Sequence, residues 1–376
     1  MNLKILFGES SSSLVCPTTK LGLDLLSLEE AQKITKGSLL PRAESHNAKG
    51  EISKPAGPTP WVLLRKDRAC AYPVVDGIPI LLAPEALTVS GREIYFDLTD
   101  ARYAEAYEEM DFYNDAASAA REKLAHGGVE SILPTELAAS EAERNSFPGP
   151  WHRWIDTVHD SAALWDAYVH LGEMKGRIII QLGGSGTHAI KFAMAGAAEA
   201  WLITPMLGEA LIARALAESA GFGEQFRCIV AVAEELPIKS ETMDAAFAGG
   251  CLHHMQTEMA LPEAARVLKQ GGRFAAVEPW RAPLFAIGTK ILGKREDVYC
   301  LPLTAERVEP MGEAFRASHV VQHGTITRYP FLALSKLGID VNKYIPWHIG
   351  KIDDAICSII PGMRRMGSSI AVLGSK

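Results

Sequence analysis

The segment Gln181-Leu182-Gly183-Gly184-Ser185-Gly186-Thr187 is the first place where residue types and spacing suggest ligand chemistry. It follows an apolar run and opens a helical one. In that setting glycines let the backbone approach a ligand closely, and the helix N-terminus favours a polar or anionic group. A tight strand-to-helix connection would look the same. Further on, Ala233-Glu234 follows a later apolar run, and His253-His254 follows the next. An imidazole there could serve as a general base near neutral pH; the plain alternative is a strand-end histidine satisfied by backbone groups. Cys251 would be a nucleophile only with a depressed thiolate pKa, and is otherwise a small buried residue. Glu278, at the end of a further run, could bind substrate or close a sheet. Trp151, His152 and Trp154 could wall a pocket or fill a core.

These residues need a scaffold, and residues 173–376 read as one. Short apolar runs at 177–180, 200–203, 227–232, 243–248 and 273–277 read as strands. Helical patterns at 188–195, 207–220 and 261–268 lie between them, the last stopping at Gly271-Gly272 as at a helix C-cap. This alternation argues for a parallel sheet with helices on both faces. Residues 91–172 read as helical, with Tyr103, Tyr107 and Met110 at helical spacing. Residues 1–90 hold short strand-like runs, a polar Pro-rich loop from Pro41 to Pro60, and an Asp76-Gly77 turn between apolar runs.

Composition bounds the function. The chain has 376 residues, 48% hydrophobic and 22% charged, which is globular and not disordered composition. Its net charge of −7 leaves no domain-wide basic excess for gripping nucleic acid. Six cysteines in this length are too sparse for a disulfide framework. No run of about 18 apolar residues exists, and the first residues are too short an apolar stretch for a signal peptide. The expectation is a soluble, cytoplasmic protein that takes a small-molecule substrate and works without a membrane.

Five pieces in order carry a resemblance: the glycine turn, Ala233-Glu234, Asp244 with Leu252-His253-His254, the stretch Glu263 to Phe274, and Glu278-Pro279. Over roughly residues 175–280 they resemble the class I S-adenosylmethionine-dependent methyltransferases. The resemblance implies an α/β, Rossmann-like seven-stranded sheet, its last strands at Val320 to Tyr329 and Ile370 to Leu373. It implies S-adenosylmethionine across the carboxyl ends of the first strands. Gln181, Gly183, Gly184 and Ser185 would then hold the methionine part, Thr204 would face the ribose, and Ala233 and Glu234 would flank the adenine. His253 would sit near the sulfonium and the acceptor. Tyr113, in Asp111-Phe112-Tyr113-Asn114, resembles the segment that closes over the cofactor. Tyr107, Trp151 and Glu278 are the candidate substrate contacts. Aromatic faces attract a sulfonium, although any one of these tyrosines could equally belong to a buried helix stripe.

The sequence also departs from that pattern. Gln181 stands where an acidic residue is usual, small polar residues occupy later glycine positions, and Val232 replaces a polar residue. The acid expected on the ribose hydroxyls is absent at Ile203-Thr204-Pro205-Met206; Glu209, one turn later, is the candidate substitute. Leu14 to Pro17 and Cys70 to Leu82 resemble a small zinc-ribbon-type domain whose relatives activate methyltransferases. Only Cys16 and Cys70 of its ligands remain, so the expectation is a metal-free α+β module, and no metal site is assigned anywhere. The expected organisation is this module at 1–90, a helical lid at 91–172, and the methyltransferase-like domain at 173–376. An insertion at 281–318 carries a basic patch of Lys290, Lys294 and Arg295. The leading function is methyl transfer to a small molecule by in-line attack on the sulfonium methyl. One alternative is intramolecular cyclisation of the cofactor to azetidine-2-carboxylate with release of methylthioadenosine. Another is a non-catalytic binding protein on the same fold.

Overall fold

The computed structural model describes residues 13–40, 60–90, 100–128, 146–155, 157, 159–283, 301–326, 328–339, 344–360 and 362–376. Most of the Pro-rich loop after Leu40, and Lys290, Lys294 and Arg295 of the expected basic patch, lie outside them.

Chain entry is a small antiparallel sheet. Its strands are β1 (Leu23–Ser27), β2 (Leu39–Leu40), β3 (Trp61–Arg65), β4 (Cys70–Val75), β5 (Ile78–Pro79) and β6 (Leu87–Val89), in the order β1-β3-β4-β6-β2 with β5 on β4. Asp76 and Gly77 both have positive φ, the backbone a two-residue hairpin needs between β4 and β5. Helix α1 (Leu28–Thr35) starts at a capping box in which Ser27 and Glu30 satisfy each other's backbone amides. Strand side chains alternate between faces. Val62, Leu64 and Ala71 therefore pack in the cluster under α1. Leu63, Cys70, Tyr72 and Val74 pack in a second cluster with Ile180, Trp201 and Ile203 of the large sheet.

Helix α2 (Ala104–Gly127) follows, then a helical turn at Trp151–Trp154 and α3 (Ser161–Leu171). The large sheet comprises β7 (Ile178–Leu182), β8 (Glu199–Thr204), β9 (Phe226–Val230), β10 (Met243–Gly249), β11 (Leu268–Pro279), β12 (Ala317–His323) and β13 (Ser369–Ser375). Its order is β12-β13-β11-β10-β7-β8-β9, with β7 to β11 parallel and β13 antiparallel to both neighbours. Strands covered on both faces read as continuous apolar runs, and Ile178-Ile179-Ile180 is such a run. Helices α4 (Thr187–Met194), α5 (Leu207–Ser219) and α6 (Thr257–Val267) cross between these strands; α7 (Arg328–Lys336) and α8 (Tyr344–Ile359) precede β13. This is the seven-stranded, Rossmann-like sheet that the resemblance implied.

Two element readings change. The helix before β11 ends at Val267, and Gly271, at φ 75°, turns the chain inside an irregular strand. It is no C-cap, because Leu268 already pairs with Met243. The strand expected at 320–329 starts at Ala317 and stops at His323. Gly324 takes φ 69° there, and Arg328 begins a helix.

The candidate active site

Strands β8 and β9 lie on one side of β7, and β10 lies on the other. The chain therefore reverses its direction of build-up at β7 and leaves a crevice at the carboxyl ends. A cavity of about 290 Å³ opens there, lined by the residues after β7, β8, β9 and β10 and roofed by the first turns of α2.

The glycine turn forms one wall. Gly183 has φ 74°, and a Cβ on it would meet the Cys251 Cβ at 2.7 Å, so both the conformation and the space require glycine. Gln181 is buried. Its Nε2 donates to the Gly183 carbonyl at 2.8 Å, and its Oε1 accepts the Ala189 amide at 2.7 Å. A carboxylate could accept but not donate, so here glutamine braces the turn in a way an acid cannot. Gly184 and Ser185 complete this wall.

Thr204 at the end of β8 is fully buried. Its hydroxyl donates to Glu209 Oε2 at 2.6 Å and accepts the Met206 amide at 3.2 Å. Glu209 also lines the cavity, and burial raises its pKa. A carboxylate thus occupies the wall beyond β8, delivered from the first turn of α5. Ala233 and Glu234 line the cavity from a turn after β9. Glu234 accepts the Gln256 amide at 2.8 Å, and burial pushes its pKa up to about 7.

Tyr113, Glu105 and Glu109 reach the cavity from α2, and His254 reaches it from the turn after β10. The Tyr113 and His254 rings meet edge-on at 6.2 Å. Burial would lower the His254 pKa, but Glu105 and Glu109 outweigh it and raise it to about 9. Cys251 also lines the cavity, and burial pushes its thiol pKa well above the usual value, which disfavours the thiolate a nucleophile needs.

Several sequence candidates stand elsewhere. His253 does not line the cavity; its neighbour does. Its Nδ1 lies 2.6 Å from Glu278 Oε2, and both side chains are buried. Glu278 Oε1 accepts the amides of Cys251 and Leu252 at 3.0 and 2.8 Å, so this carboxylate organises the turn after β10. Tyr107 donates to Glu85 at 2.9 Å. Trp151 stacks on Trp347 of α8 at 4.3 Å, and the fully buried Trp154 packs on Phe147. The sequence reading passed over Glu105, Glu109 and His188. The two glutamates stand at i and i+4 on α2, a one-face spacing that was legible. His188, held by the Tyr168 hydroxyl at 2.6 Å, carried no such signal.

Residues 182–276, from the end of β7 into β11, match the family model of a methyltransferase domain. The match takes in the residues beyond β7, β8, β9 and β10 that line the cavity. No curated protein matches the chain. A structure of geranyl diphosphate methyltransferase in complex with GPP and sinefungin is 17% identical, covers 72% of this chain and 98% of its own, and has a TM-score of 0.46. Geranyl diphosphate C-methyltransferase from Streptomyces coelicolor is 15% identical over 63% of this chain and 87% of its own, with a TM-score of 0.41. The YcgJ protein from Bacillus subtilis is 18% identical over 58% and 99%, with a TM-score of 0.39. Among the described residues, no helix is long and apolar enough to cross a membrane.

Proposed function

We propose that the protein is an S-adenosylmethionine-dependent methyltransferase acting on a small molecule. The observation that carries this reading is the junction of Gly183-Gly184-Ser185, Thr204 with Glu209, and Ala233-Glu234 in one cavity of the methyltransferase-type domain. The residues fit the cofactor. The glycine turn leaves backbone open for its methionine end. Glu209 supplies the carboxylate that a ribose diol needs and that β8 itself lacks. Ala233 and Glu234 offer an apolar and a polar edge to a base. Glu105, Glu109, Glu209 and Glu234 make an acidic wall. Arg102, the one Lys or Arg among its described lining residues, is held by Asp100 and Glu235 at 2.6 and 2.5 Å. Such a wall suits a ligand bearing sulfonium and ammonium charges. A cavity of about 290 Å³ stands near the lower end of the range for small-molecule sites, about 300–1,000 Å³.

When bound, S-adenosylmethionine supplies a methyl group on sulfur for in-line displacement by an acceptor. The chain's own residues position and enclose. Tyr113 covers the cavity from α2, and the carboxylates stabilise positive charge in a place shielded from water. His253 is not assigned a proton to take. The test is incubation of the purified protein with S-adenosylmethionine alone, followed by mass spectrometry, beside calorimetric titration of S-adenosylhomocysteine. Binding of both without turnover is expected. Methylthioadenosine with azetidine-2-carboxylate would replace methyl transfer by intramolecular cyclisation. Absence of binding at millimolar ligand would leave a non-catalytic protein.

A further inference from the structure

Glu105 and Glu109 share one face of α2, and His254 meets them from the turn after β10. The His254 Nδ1 lies 3.3 Å from Glu105 Oε1 and 3.1 Å from Glu109 Oε1. All three atoms are sealed from solvent, and none makes a hydrogen bond with acceptable geometry. Glu109 is only 3% exposed, and its Oε1 faces the His254 ring at 3.1 Å without a well-aligned hydrogen bond. Burying charged oxygen in that state is costly unless a cation occupies the point on which the atoms converge. One donor atom from each of the three residues lies within 4.8 Å of the other two. Donor atoms sharing one ion at about 2.1 Å sit roughly 3.0–3.4 Å apart in octahedral or tetrahedral geometry. Both separations from His254 fall in that interval.

We propose that Glu105, Glu109 and His254 bind a divalent transition-metal ion at the roof of the cavity. The donor set selects the class of ion. Magnesium and calcium take oxygen ligands, whereas an imidazole nitrogen beside carboxylates suits manganese, iron or zinc. Three protein donors leave coordination positions open, and all three residues line the cavity. An open position would hold an oxygen atom of the acceptor against the cofactor. That role rests on the transferase reading; the metal site itself does not. The ligands also come from two elements, so the ion would pin the lid helix to the sheet.

The experiment titrates Mn²⁺ alone into the chelator-treated full-length protein and follows free Mn²⁺ by electron paramagnetic resonance. Uptake of about one ion per chain is expected, with an imidazole-nitrogen coupling in the pulsed spectrum. Glu109→Gln and His254→Asn should each weaken uptake by roughly tenfold or more. Lack of uptake at millimolar Mn²⁺, uptake without nitrogen coupling, or uptake indifferent to both substitutions would overturn the site and leave an ion triad with its proton on His254. The wild-type nitrogen coupling decides the question even if a variant fails to fold. Titration of S-adenosylhomocysteine into metal-free protein keeps the two readings apart: its failure with Mn²⁺ binding intact would sink the transferase reading alone.

Discussion

Under the proposed function, Glu209 would supply the carboxylate that the end of β8 lacks. The end of β8 carries a threonine, which cannot accept two hydroxyl donors as a carboxylate does. The Thr204 hydroxyl instead orients Glu209 at 2.6 Å, so the acid reaches the same wall from the next helix. Glu209→Gln should leave the fold intact and weaken S-adenosylhomocysteine binding by about 10- to 100-fold, because hydrogen bonds to a charged group contribute about 1.5–3 kcal/mol. Calorimetric titration measures this, and unchanged affinity would remove Glu209 from the ribose site. The same scale separates the two histidines. Their rings lie side by side, 4.0 Å between centroids, yet the turn's geometry gives Glu278 to His253 and the cavity to His254.

Among the elements, α2 is the one whose placement decides whether the cavity has a roof. It packs on α5 through a close approach at Gly208. The Gly208 amide at the start of α5 donates to Asn114 Oδ1 of α2 at 2.8 Å, and a Cβ on Gly208 would meet that oxygen at 2.8 Å and the Ala117 Cβ at 3.1 Å. Asn114 therefore caps one helix with the side of another. Gly208→Val should push α2 away and weaken S-adenosylhomocysteine binding by about tenfold, in line with an overpacking cost of about 1–3 kcal/mol. Asn114→Ala removes one hydrogen bond, and about a fivefold loss is expected. Equal affinity in both variants, measured by the same titration, would mean that α2 does not close the site.

Across the whole molecule, His323 ties three elements together. From β12 it reaches Asp166 of α3 and Asp354 of α8, each at 2.9 Å. Burial would lower its pKa, but the two carboxylates outweigh that and raise it from 6.5 to about 9. The folded state thus holds its proton more tightly than the unfolded chain does. The resulting stability is fully present below pH 6.5 and is lost as pH rises through about 9. It amounts to at most about 3 kcal/mol, less whatever solvent screens at the partly exposed aspartates. Urea unfolding at pH 6, 7.5 and 9 should show wild-type stability falling over that interval and a flatter profile for His323→Gln. A parallel decline in both would place the pH dependence elsewhere. At this scale, too, the N-terminal sheet shares a core with the large sheet. Leu63, Tyr72 and Val74 pack in one cluster with Ile180, Trp201 and Ile203, and Cys16 Sγ rests against the Tyr72 hydroxyl at 3.2 Å.

The parallel sheet and the crevice at its carboxyl ends were legible from sequence because they depend on local signals. Continuous apolar runs specify buried strands, and a glycine turn between strand and helix specifies where a backbone can approach a ligand. Gly183, Gly184, Ser185, Thr204, Ala233 and Glu234 accordingly meet in one cavity, with Gln181 and Tyr113 beside them. Trp151 could not be read this way, since an aromatic stripe has the same spacing whether it faces a ligand or Trp347. Nor could the convergence of Glu105, Glu109 and His254. Its two halves lie about 150 positions apart in the chain, and only the packing of α2 over the carboxyl end of β10 brings a carboxylate pair to an imidazole. Local patterns set which elements form and where their ends point. The tertiary structure decides which side chains share a buried space, because that depends on how elements distant in sequence exclude water between them.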